Sequence, residues 1–237
     1  MNEQNIISKY VPNFITLLSL SSGFTSIRFS LNGELEIAIY LILLATIFDF
    51  FDGWFARKLK SGSNFGAELD SLSDFVSFGI APSFLIYLWS THSLGSLGWG
   101  ATLFFVICSA LRLARFTADI YITNKPIDDN EYFVGLPSPA AAGLILLPLF
   151  IFFEFEFDFV KNEYLNLLIT VIVGLMMISK IPTISLKKIQ INQKYKTLIF
   201  LIFVIVCVAL ISKIWVTLVA VFSLYLLSII YTIFKTR

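Results

Sequence analysis

The sequence predicts an all-α polytopic membrane protein with about eight transmembrane helices. Three observations predict it. Hydrophobic residues make up 57% of the chain and charged ones only 14%, which is more apolar than ordinary soluble domains. The apolar residues are spread along the whole length in runs near the ~20 residues that a bilayer core demands. Polar breaks separate the runs, and lysine and arginine fall almost entirely in alternate breaks.

Residues 1–10 form a polar, surface-lying lead-in without the charged start or cleavage site of a removable signal peptide. The first span is expected over residues 11–31. Pro12 falls in its first turn, where a missing N–H costs nothing, and a small-residue patch at 19–23 lets a neighbouring helix come close. Arg28 near the far end either snorkels to the interface or pairs with Glu34 or Glu36. The second span covers residues 35–55 and the third 69–90, with Pro82 expected to kink the latter or to pack against a neighbour. The turn at 91–98 holds the only histidine, His92, read as an exposed loop residue.

The fourth span, 99–118, ends with Arg112 and Arg115 on one face. A polar loop over 117–132 carries Asp119, Asp128, Asp129 and Glu131. It leads through Phe133-Val134-Gly135-Leu136-Pro137-Ser138-Pro139 into the fifth span, which ends near residue 153. Those prolines and small residues fit a bent, tightly packed helix start or a plain loop-to-helix junction equally well. A sixth span, 164–181, stops at Pro182. Beyond a basic loop at 180–196, spans over 197–211 and 214–234 close the chain; almost free of polar side chains, they carry no assigned chemistry. Cys108 and Cys207 sit in mid-run and read as packing residues.

With eight spans both termini share one side. That side collects Lys9, Arg57, Lys58, Lys60, Arg112, Arg115, Lys125, Lys180, Lys187, Lys188, Lys194, Lys196, Lys235 and Arg237, against Lys161 and Lys213 opposite. The asymmetry predicts cytoplasmic termini. A net charge of +1 provides no basic surface and argues against a nucleic-acid partner.

One stretch, residues 49–74, breaks the apolar pattern: DFFDGWFARKLKSGSNFGAELDSLSD. Asp49, Asp52, Gly53, Ala56 and Arg57 follow i, i+3, i+4, i+7 and i+8, one face of a helix. Gly66, Asp70 and Asp74 follow at i, i+4 and i+8, so a second helix also presents an acidic face beyond the polar turn at 58–64. Any one of these carboxylates on its own is as well explained by solvation at a helix end. Four at helical spacing within a lipid-like sequence instead point to a site for hard cations, Mg2+, Mn2+ or Ca2+. Carboxylates inside a membrane also build cation pathways in transporters. Here they gather at one end of two helices and no internal repeat is visible, which favours an enzyme.

The order Asp49-x2-Asp52-Gly53-x2-Ala56-Arg57-x8-Gly66-x3-Asp70-x3-Asp74 resembles the signature of the CDP-alcohol phosphotransferases, with every fixed position filled. The resemblance implies a homodimer with a six-helix core. Residues 1–181 would be that core, and 182–237 a basic loop with two additional helices. It implies two divalent cations, Mg2+ or Mn2+ (Ca2+ can occupy such a site), held by Asp49, Asp52, Asp70 and Asp74, with Asp74 also the base. Asp49, Gly53, Ala56, Arg57 and Gly66 would bind the CDP-linked donor, with Asn13 near the cytidine. Leu113-Ala114-Arg115-Phe116 together with 133–139 is similar to the serine-accepting members of that family. By that likeness CDP-diacylglycerol and L-serine are the substrates, CMP leaves, and membrane lipids surround the protein. Arg112 or Arg115 would then orient the serine carboxylate. The same arginines suit the phosphate of glycerol 3-phosphate or of an inositol phosphate, or the lipid diphosphate itself.

Overall fold

The computed structural model describes residues 3–59, 63–123, 132–179, 182–184 and 193–235. Helices dominate: α1 (Glu3–Leu31), α2 (Leu35–Leu59), α3 (Asn64–Asp74), α4 (Ala81–Trp89), α5 (Ser96–Thr123), α6 (Ser138–Phe155), α7 (Glu163–Ile178), α8 (Gln193–Ser212) and α9 (Ile214–Lys235). A π-helical turn, Phe75–Ile80, joins α3 to α4 in one continuous rod, so the described residues form eight rods where eight spans are expected. Among the described residues, five segments are long and apolar enough to cross a membrane: Tyr10–Leu31, Asn64–Trp89, Ser96–Ala118, Ser138–Phe155 and Ile214–Lys235. The chain is an integral membrane protein.

Several boundaries differ from expectation. α1 begins at Glu3, so Pro12 lies inside the helix and not in its first turn. α3 starts at Asn64, where the Ser63 hydroxyl caps it by accepting from the Gly66 N–H at 3.0 Å. α5 runs on to Thr123, beyond the predicted loop start. Hydrophobic runs mark the hydrocarbon layer, and helices continue past it where nothing breaks them. The loop residues Asp128, Asp129 and Glu131, and the basic residues Lys60, Lys125, Lys180, Lys187, Lys188 and Arg237, lie outside the described residues.

Two short strands replace expected loops. β1 (Tyr132–Val134) pairs antiparallel with β2 (Pro182–Ile184), Phe133 opposite Thr183. Aromatic and β-branched residues suit such a ladder, and it ties the start of α6 to the end of α7. Pro82 lacks an N–H for the Phe78 carbonyl and crowds it. The π turn just before it widens the backbone, so the rod changes register there.

α1 buries polar groups. Thr16, Ser19, Ser22, Ser26 and Ser30 lie on its protein-facing side, whereas Phe14, Leu17, Phe24 and Leu31 point outward. Lipid offers no hydrophobic drive between helices, so close packing of small residues holds them together. Ser19 Oγ donates to the Ala45 carbonyl of α2 at 2.9 Å. Ser73 Oγ and Ser77 Oγ donate to the Thr16 and Ser19 carbonyls at 3.2 Å each. α1 thereby locks to both helices of the aspartate motif. The apolar core lies behind them, around Ile39, Phe78, Leu85, Phe105, Leu149 and Phe150.

α9 also belongs to this core. Leu218 and Ile229 are buried in it, and the Trp215 ring lies 4.8 Å from that of Phe153 and 5.7 Å from that of Tyr40. Cys108 is buried and Cys207 partly so, both as free thiols. His92 is exposed on a 3-10 turn, Thr91–Leu94, just beyond the end of α4 remote from Asp74.

Candidate active and metal site

Asp49 stands ten residues before the end of α2, and Asp74 ten residues after the start of α3. At 1.5 Å per residue each lies about 15 Å along its helix from the end of α2 and the start of α3 respectively. The two carboxylates therefore come level and lie within hydrogen-bonding reach of each other. Asp70, one turn back on α3, completes a group: each of Asp49, Asp70 and Asp74 offers an oxygen within 4.8 Å of the others.

Asp52 is not part of that triad. It is 5% exposed, lies beside the Thr16 hydroxyl, and is within electrostatic reach of Asp49, Asp70 and Arg57. Two carboxylate oxygens, Asp52 Oδ2 and Asp74 Oδ1, are buried without a donor among the described residues. Charges no more than 4.8 Å apart repel by at least roughly 3 kcal/mol per pair at an effective dielectric of about 20. A buried oxygen without a donor costs further. Hard divalent cations relieve both penalties, and an all-carboxylate donor set is what they select. The residues fit a divalent metal.

Around the triad the motif's small residues leave room. The Arg57 guanidinium folds back over Gly53, with Nη1 3.2 Å from where a β-carbon would stand. Asn13 Oδ1 approaches Gly66 to 3.1 Å on the same criterion, which brings the first-helix asparagine to the motif. Ala56 is half-buried on the Gly53 face, and Arg57 is exposed at its end.

The arginines of α5 come from the other side. Arg112 donates to Ser138 Oγ at the start of α6, and its charge reaches Asp74. Arg115, half-buried, is its neighbour. Gly135 sets up Ser138. Its φ of +84° is open to glycine, and a β-carbon there would sit 2.7 Å from the Met177 carbonyl oxygen. Gly135→Ala is therefore expected to lower the thermal midpoint in detergent and to cut turnover at least about tenfold, because both strain and clash act where the partner of Arg112 is held. A differential unfolding scan beside a turnover assay checks it.

Two polar groups near the site escape sequence reading. Ser138 falls within the 133–139 stretch, but nothing in its spacing marks it as the partner of Arg112. Tyr225 comes from α9, and its side chain is within electrostatic reach of Arg112. The available signal for it is a phenol on the stripe Leu218, Phe222, Tyr225, Ile229 of an otherwise apolar helix.

Fold and site together define an integral membrane protein with a carboxylate cluster suited to divalent metal between its second and third rods. The sequence matches the CDP-alcohol phosphatidyltransferase family over residues 9–178, and the chain belongs to that family. Among its relatives, CDP-diacylglycerol–serine O-phosphatidyltransferase of Mycobacterium leprae is 33% identical over 231 residues, covering 96% of this chain and 75% of that one. The protein of the same name in Helicobacter pylori is 34% identical over 190 residues, covering 80% and 78%. Archaetidylserine synthase of Methanothermobacter thermautotrophicus is 39% identical over 145 residues, covering 60% and 59%.

Proposed function

We propose that this protein transfers the phosphatidyl group of CDP-diacylglycerol to L-serine, forming phosphatidylserine and releasing CMP. The observation that carries the reading is the convergence of Asp49, Asp70 and Asp74 beside Arg112, with carboxylate oxygens buried and undonated. The relatives named for serine transfer support L-serine as the acceptor.

Asp49, Asp52, Asp70 and Asp74 would hold two divalent cations, Mg2+ or Mn2+, which would supply positive charge to offset that of the diphosphate and of departing CMP. Asp74 accepts the proton of the serine hydroxyl as its oxygen bonds to the β-phosphorus of the donor and the bond to CMP breaks. Asp74 suits this role because it is the member of the triad that faces the arginine side, and its Oδ1 has no donor to hold it. Arg112 has five N–H donors and commits one to Ser138, so its fork can orient a carboxylate. Gly53, Ala56, Gly66 and Asn13 line the nucleotide side, where Arg57 meets the donor phosphates. Cytoplasmic termini and site follow from the lysine and arginine asymmetry, and a homodimer from the family resemblance. Residues 1–181 are the catalytic core in this reading, with 182–237 added to it.

The test is CMP release by the purified protein with CDP-diacylglycerol and Mn2+ or Mg2+, over L-serine, glycerol 3-phosphate, inositol, inositol phosphate and choline. Release that needs both L-serine and metal, with phosphatidylserine formed, is expected. Release with a different acceptor keeps the chemistry but moves Arg112 and Arg115 to phosphate binding. No release from folded protein with any acceptor returns the carboxylates to a cation-pathway role.

A further inference from the structure

The last helix lies outside the stretch that matches the family, which ends at residue 178. It is nonetheless built against the site. Leu218, Phe222, Tyr225, Ile229 and Thr232 follow one another at intervals of four and three, a single helical stripe. Leu218, Ile229 and Thr232 are buried. Phe222 lies so close to Gly143 of α6 that no side chain larger than hydrogen fits between them. Tyr225, one turn on from Phe222, is thus held inward by its neighbours on both sides.

Its hydroxyl is buried and has no hydrogen-bond partner among the described residues. Phenylalanine would fill the same space without leaving a polar atom unsatisfied. The phenol lies within electrostatic reach of the Arg112 guanidinium, which also reaches Asp74 and donates to Ser138. Arg112 is thus the common neighbour of a phenol from α9, a hydroxyl from α6 and a carboxylate from α3. Guanidinium N–H groups and a phenol O–H are all donors toward an anion.

We infer that Tyr225 is a specificity-determining residue of the acceptor site, its phenol O–H donating, beside Arg112, to the α-carboxylate of an amino-acid acceptor. The inference rests on the proposed reading that the acceptor is L-serine, and it deepens that reading by giving α9 a part in recognition. An acceptor without the carboxylate meets the same aspartates but leaves Tyr225 and Arg112 without their anion. Discrimination against it follows from those orphaned donors.

The experiment uses full-length Tyr225→Phe with CDP-diacylglycerol and Mn2+, and two acceptors: L-serine and serinol, in which a hydroxymethyl group replaces the carboxylate. KM for L-serine is expected to rise about tenfold or more, the scale of one lost charge-assisted hydrogen bond. kcat and the KM for CDP-diacylglycerol should stay near wild type, and the preference for L-serine over serinol should fall by the same factor. The unfolding midpoint should be unchanged or higher, since the variant removes an unsatisfied buried atom. An unchanged KM for L-serine with an unchanged preference overturns the inference. So does a rise confined to the KM for CDP-diacylglycerol, which would make the donor diphosphate the anion. If wild-type protein ignores L-serine and uses another acceptor, the functional reading itself fails, a result distinct from either.

Discussion

Asp74→Asn is expected to lower L-serine-dependent CMP release by at least about a hundredfold while CDP-diacylglycerol binding stays within about threefold of wild type, the span that loss of a positioned base commands. The amide has the size of the carboxylate and keeps an oxygen that can face a cation, but it cannot take up the serine proton. Arg112 stands beside Asp74 and already offsets part of its charge, so neutralising this position disturbs cation binding least. Asp49→Asn and Asp70→Asn should behave differently. Both lie in the same 4.8 Å group, and loss of either charge should weaken metal binding and donor binding together. Turnover and equilibrium binding of CDP-diacylglycerol, measured on the three variants as a function of Mn2+ concentration, separate the two patterns. Near-normal turnover in Asp74→Asn would remove it as the base.

Much of this site is legible in the sequence because helical spacing converts intervals into faces. Asp70 and Asp74 at i and i+4 share a face, and the polar break after Arg57 is the signal that α3 folds back beside α2, toward Asp49. That arithmetic does not set Asp52 apart, since three residues on from Asp49 it shares the same face; its place beside the Thr16 hydroxyl of α1, outside the triad, comes from tertiary packing. Eight rods are likewise readable from apolar runs, although their ends are not. The runs report where lipid is, and α1 and α5 continue into the polar layer.

The remaining features come from tertiary contact. Ser138 and Tyr225 lie 26 and 113 residues beyond Arg112 in the chain and meet it only through the packing of α6 and α9. The β1–β2 ladder joins segments on either side of α6 and α7, and three-residue strands have too little length to show a period. The π turn lies directly before Pro82, and from sequence that proline equally predicts a kink. The apolar last helix gives no hint of chemistry, because a phenol on a core stripe also reads as plain packing.

Gly23→Ala is expected to be strongly damaging to the site, although it adds a single methyl group. A β-carbon on Gly23 would stand 2.2 Å from Ser77 Oγ and 2.6 Å from Ser77 Cα. The hydroxyl can rotate away, but the backbone atom cannot, so α1 and the π turn must separate. Overpacking of this kind costs about 1–3 kcal/mol and more where backbone is struck. Separation also stretches the bonds from Ser77 to the Ser19 carbonyl and from Ser73 to the Thr16 carbonyl, both at 3.2 Å. Ser73 and Ser77 flank Asp74 on its own helix, so the carboxylate moves with them. The midpoint of unfolding in detergent and the turnover number should therefore fall together. Gly100→Ala is the control: it lies in α5 with nothing within 4 Å of its added carbon, and a helical alanine there should leave both unchanged or raise stability slightly. If Gly23→Ala instead keeps the wild-type midpoint, α1 does not press on the π turn. The small-residue face of the first helix would then not be what holds Asp74 level with Asp49.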